Sequence, residues 1–133
     1  MVKPIAKSYL LPFPVDRVYR AWTASDTVIP PATAMDIDPR VGGHYRLIME
    51  RPGFTARSEG TFSRVVPNER LTYSWEWNSD GEVTEIDVRF AGHPDGTALQ
   101  LSHSGFAKQE SRDMHDAGWD SYVDGLIKFL SAG

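Results

Sequence analysis

Residues 71–77 alternate strictly: Leu71, Tyr73, Trp75 and Trp77 fall on one side, Thr72, Ser74 and Glu76 on the other. A period of two predicts a half-buried strand. The same period continues downstream. Thr84, Ile86, Val88 and Phe90 oppose Glu85, Asp87 and Arg89, and Leu99, Leu101 and His103 oppose Gln100 and Ser102. Residues 78–81 and 93–96 are short enough to join these three strands as antiparallel hairpins. Upstream, Tyr45, Leu47 and Met49 alternate with His44, Arg46 and Glu50, and residues 60–66 read as a further strand.

Both ends of the chain change to a helical period. Beginning at Pro14, which suits a first helical position, Val15, Val18, Tyr19 and Trp22 make one apolar stripe, with Asp16, Arg17 and Arg20 off it, and the helix should end near Thr23. A second short helix is predicted from Ser25 or Asp26, both competent N-caps, stopping before Pro30-Pro31. In the last twenty residues Met114, Gly118, Trp119, Tyr122, Gly125, Leu126, Phe129 and Leu130 share about half of a helical cylinder. Asp113, Asp120, Asp124 and Lys128 occupy the rest. Gly118 and Gly125, on the same face, each cost about 1 kcal/mol relative to alanine, so either the backbone is closely approached there or the face is left shallow.

A first strand, one or two short helices, a run of antiparallel strands and one long amphipathic C-terminal helix define an α+β protein. The chain has 133 residues, a length suited to one domain over 1–133. Its 41% hydrophobic content, with six Phe, five Tyr and four Trp, is enough to fill a core. The absence of cysteine excludes disulfides, Cys-ligated zinc, iron–sulfur clusters and a cysteine nucleophile. A net charge of −4 gives no basic excess to recommend nucleic acid or an anionic membrane as partner. No apolar run approaches the roughly 18 residues of a membrane span. The N-terminal apolar stretch is cut by Pro12 and Pro14 and lacks a cleavage site. A cytoplasmic protein is the resulting expectation.

Four segments, in order, carry a resemblance: Pro-Val-Asp-Arg-Val-Tyr-Arg-Ala-Trp-Thr at 14–23, Asp-Pro-Arg-Val-Gly-Gly at 38–43, Val-Pro-Asn-Glu-Arg-Leu-Thr-Tyr-Ser-Trp at 66–75, and Gly-Trp-Asp-Ser-Tyr at 118–122. They resemble the activator-of-Hsp90-ATPase-homologue-like family of the START/SRPBCC superfamily. The resemblance implies a helix-grip fold: a curved antiparallel sheet wrapped around the long last helix, with a hydrophobic cavity between them. It departs at residues 28–33, Val-Ile-Pro-Pro-Ala-Thr, where many members carry a Trp-Trp-Gly-Pro-like sequence, so the cavity entrance is expected to differ.

On this reading Trp22, Tyr45, Tyr73, Trp75, Trp77, Trp119 and Tyr122 all face the space between sheet and last helix. Tyrosine and tryptophan combine apolar bulk with a polar tip, as a small-molecule pocket requires. Gly118 leaves a shallow place on the helix face. His103 joins the set of candidate ligand-binding residues and is the one weak catalytic candidate, as a proton-transfer group; a histidine at the sheet margin bonded to a backbone carbonyl is the structural alternative. Asp36 and Asp38 share one strand face, which alternation alone explains. His44, His93, His103 and His115 lack metal-site spacing, and no phosphate-cradling glycine loop is present, so neither metal nor cofactor is expected. The function expected is binding of a small hydrophobic or amphipathic molecule. The alternatives are a cyclase- or hydrolase-like enzyme acting on an apolar substrate in the same cavity, and a co-chaperone-like domain whose partner is a chaperone or another protein.

Overall fold

The computed structural model describes residues 2–24, 33–78 and 81–132. Strand β1 (Ile5–Leu11) leads into helix α1 (Val15–Thr23). Six further strands follow, β2 (Ala34–Ile37), β3 (His44–Arg51), β4 (Phe54–Val66), β5 (Arg70–Trp77), β6 (Thr84–His93) and β7 (Gly96–Ser104), and helix α2 (Gln109–Ala132) closes the chain. The strands form one antiparallel sheet in the order β1-β7-β6-β5-β4-β3-β2. β2 to β7 are sequential neighbours, and β1 crosses over to pair with β7, Ile5 opposite His103. The sheet curves around α2, and the architecture is the α+β helix grip.

Pro14 is the N-cap of α1 rather than its first helical residue. The second short helix expected from Ser25 or Asp26, and most of the divergent 28–33 segment, lie outside the described residues; among those described, α1 is the one helix between β1 and β2. β4 begins six residues before the alternation makes it visible. The cause is the tight turn at Pro52-Gly53, with Gly53 at φ +75°, which pairs β3 with the polar, weakly alternating start of β4.

Gly60 has a steric reason. A Cβ there would collide with the Ser74 carbonyl of β5, so glycine lets the two strands approach as the sheet bends. That carbonyl accepts the Tyr45 hydroxyl at 2.5 Å.

The core lies between sheet and α2, where Ile5, Leu11, Leu71, Ile86, Val88, Leu99 and Leu126 are fully buried. The buried face of α2 is carried by Trp119, Val123, Leu126 and Leu130, which corrects the predicted arc. Val123 belongs to it, whereas Met114 and Phe129 are exposed. Ion pairs from Lys7 of β1 to Asp116 (2.5 Å) and Asp120 (3.2 Å), and a hydrogen bond from the Tyr9 hydroxyl to Asp120 (2.7 Å), tie α2 to the sheet edge. At the other end Arg17 of α1 donates to the Leu130 carbonyl at 3.0 Å.

Candidate functional site

Between α2 and the β2–β5 half of the sheet the packing opens into a cavity of about 230 Å³. Sheet alternation supplies one wall. Tyr45, Leu47 and Met49 project from β3, Ala56, Ser58 and Phe62 from β4, and Tyr73, Trp75 and Trp77 from β5. α1 contributes Trp22 and β2 contributes Ile37, while α2 lays Met114, His115, Gly118, Trp119 and Tyr122 along the opposite wall. Among the described residues no Asp, Glu, Lys or Arg lines it.

All seven aromatic residues singled out by periodicity border this space, and their rings form a frame that Trp77 joins through His115. Trp22 stacks on Trp119 with centroids 6.1 Å apart and planes 9° from parallel. Tyr122 meets Trp22 edge-on at 5.3 Å, and Tyr45 meets Tyr73 edge-on at 5.1 Å. The indole of Trp22 donates to the Tyr73 hydroxyl at 3.2 Å. Burial raises the pKa of Tyr45, Tyr73 and Tyr122, so all three hydroxyls remain protonated at neutral pH.

Gly118 also borders the cavity. A Cβ on it would meet nothing within 4 Å, so the close backbone approach considered for this glycine does not occur. The face is shallow instead. This explains the rotation of the α2 arc as well: Met114 and Gly118 are apolar because they face the cavity, not because they are packed in the core, and Met114 is accordingly 56% exposed.

His103 does not border the cavity. It lies behind the aromatic wall with no exposed surface, not at the sheet margin, and its partners are side chains rather than a backbone carbonyl. Trp119 donates its indole N–H to His103 Nδ1 at 3.0 Å. That nitrogen must therefore carry the lone pair, which places the proton on Nε2, donating to Thr84 Oγ1 at 2.6 Å. Thr84 in turn donates to the Trp75 carbonyl at 3.2 Å. Burial, and secondarily the His115 ring, pushes the His103 pKa down to about 3. The ring is held neutral with both nitrogens engaged, so it has no proton to exchange with a cavity ligand.

His115, passed over in the sequence because it lacks metal-site spacing, is the histidine at the cavity. Its Nε2 accepts the Trp75 indole N–H at 3.0 Å and its Nδ1 donates to the Ser111 carbonyl at 2.8 Å. The signal that could have found it was helical: it precedes Trp119 by four residues, on the same face. Asp38 pairs with Arg40 at 2.7 Å and Asp36 is exposed, away from the cavity. Among the described residues no cluster of acidic, histidine or cysteine side chains is arranged to hold a metal ion, and no helix is long and apolar enough to cross a membrane.

A curved antiparallel sheet gripping a C-terminal helix over an aromatic cavity defines the START/SRPBCC class. The chain belongs to the family described as Activator of Hsp90 ATPase homolog 1-like protein, whose model matches residues 12–131. Solved structures agree in fold. A Mesorhizobium loti protein is 20% identical over 98% of each chain with a TM-score of 0.81. A Rhodobacter sphaeroides protein is 19% identical over 97% of this chain and 92% of its own, with a TM-score of 0.83. An AHSA1-like protein from Aeromonas hydrophila is 23% identical over 98% and 93%, with a TM-score of 0.79. No curated protein matches the sequence.

Proposed function

We propose that residues 1–133 act as one ligand-binding domain that takes a compact hydrophobic or amphipathic molecule into the cavity between sheet and α2. The observation that carries this reading is that the aromatic side chains frame a space instead of filling one another's gaps. Protein interiors are packed as densely as organic crystals, and an apolar cavity of about 230 Å³ gives up contacts that a solid core would make. Occupancy by an apolar molecule restores them. The volume is below the range of about 300–1,000 Å³ that receives drug-sized ligands, which favours a molecule of one or two rings or a short chain.

Trp22, Tyr45, Tyr73, Trp75, Trp77, Trp119 and Tyr122 are the proposed wall, with Gly118 as the recess in the helix and His115 as an added member. His103 supports the wall from behind by holding Trp119 and, through Thr84, the backbone of Trp75. Proton-transfer chemistry at His103 has no support in this arrangement. Native mass spectrometry of the purified protein tests the proposal. A stoichiometric apolar passenger, lost on denaturation, is the expected result. A bare mass, together with no uptake of added apolar compounds, would count against binding.

A further inference from the structure

Two tyrosines of the cavity lining lie beside Trp22. Tyr122 projects from α2 and Tyr73 from β5, and both border the space. Trp22 locates them together: it donates to the Tyr73 oxygen at 3.2 Å, and its ring lies 5.3 Å from the ring of Tyr122. The Tyr73 oxygen thus accepts one bond, while its proton has no acceptor among the described residues. The Tyr122 hydroxyl has no hydrogen-bonding partner among them at all. By contrast the nearby Tyr45 spends its proton on the Ser74 carbonyl. Tyr73 is buried, and a buried hydroxyl whose donor is unused forfeits a hydrogen bond.

Resting on the ligand-binding reading, we infer that the cavity selects neutral carbonyl compounds, an aryl or alicyclic ketone, aldehyde or ester, whose oxygen accepts hydrogen bonds from Tyr122 and Tyr73. A carbonyl oxygen has two lone pairs and matches two donors. Both tyrosines hold their protons at neutral pH because burial raises their pKa values. A carboxylate fits poorly, since among the described residues no Lys or Arg borders the cavity and an unpaired charge is costly to bury. An alkene of the same shape fits but leaves both donors unused.

Calorimetric titration with 2-acetylnaphthalene, its carbonyl-free isostere 2-isopropenylnaphthalene, and 2-naphthoate tests this. Tyr122→Phe keeps the ring and removes the donor. It should weaken the ketone about fivefold to tenfold, the worth of one hydrogen bond, and change the alkene less than twofold. Tyr73→Phe should do the same. The alkene also reports on folding, because a collapsed variant would lose both compounds together. Naphthoate should bind at least tenfold more weakly than the ketone. Ketone affinity unchanged in both tyrosine variants, or naphthoate equal to the ketone, overturns carbonyl recognition while leaving apolar binding standing. If neither ketone nor alkene binds the parent protein, both readings fall.

Discussion

Trp119 reaches from α2 to donate its indole N–H to Nδ1 of His103 on β7, at 3.0 Å. This one bond fixes the tautomer of a buried histidine, and with Thr84 it completes a chain from helix to strand backbone. Protonating Nδ1 would set two N–H donors against each other in a site without solvent, which gives a structural reason for a pKa near 3.

A stability prediction follows with a definite sign. His103 titrates near 6.5 when unfolded and near 3 when folded. Between those values the unfolded chain binds more protons, so stability is complete above about pH 6.5 and declines as pH falls toward 3. From pH 7 to pH 5 this group should remove about 2 kcal/mol, before most carboxylates titrate. His103→Gln, followed by denaturant unfolding at both pH values, should lose that part of the slope. An unchanged slope would mean that His103 is not held neutral as described.

Leu126 has no exposed surface and lies at the centre of the α2 core face. Leu126→Ala should cost about 2–5 kcal/mol in chemical denaturation. A midpoint within error of the parent would contradict the orientation of the helix.

The same substitution at two glycines should have opposite signs. Gly118→Ala places a methyl group in open space within a helix and should stabilise by about 0.5–1 kcal/mol. Gly60→Ala drives a methyl group into the Ser74 carbonyl and should destabilise by about 1–3 kcal/mol. Equal effects at the two sites would remove the distinction between an open recess and a backbone contact.

Much of this was legible in period alone. Tyr73, Trp75 and Trp77 are spaced by two, and Trp119 and Tyr122 by three, so their common direction needed no tertiary information. What period could not separate is a core face from a cavity face. Met114 and Gly118 share the apolar arc of Leu126 but border open space, and only the curvature of the sheet decides which part of an arc is packed. The same limit misplaced His103. Alternation put it on the inner face of β7, which is correct, but Trp119 stands between it and the cavity. The start of β4 was hidden because Thr55, Arg57 and Glu59 are polar while their alternates include Ala56 and Ser58, small residues with little hydrophobic signal.

The central claim, that the aromatic frame encloses a site an apolar molecule occupies, is tested most directly by filling it from within. Gly118→Leu would start a side chain at the cavity wall, where a Cβ meets nothing within 4 Å. Titrating 2-isopropenylnaphthalene into parent and variant, with thermal unfolding of each, gives the answer. Burial of apolar surface at about 25 cal/mol per Å², less the cost of association, predicts one-to-one binding in the micromolar range for the parent. The variant should stay as stable as the parent and show no saturable binding. Binding of equal strength in both proteins would place the ligand outside this cavity, and none in the parent together with a loss of about 1–3 kcal/mol of stability in the variant would mean that the space is a solid core; either contradicts the claim.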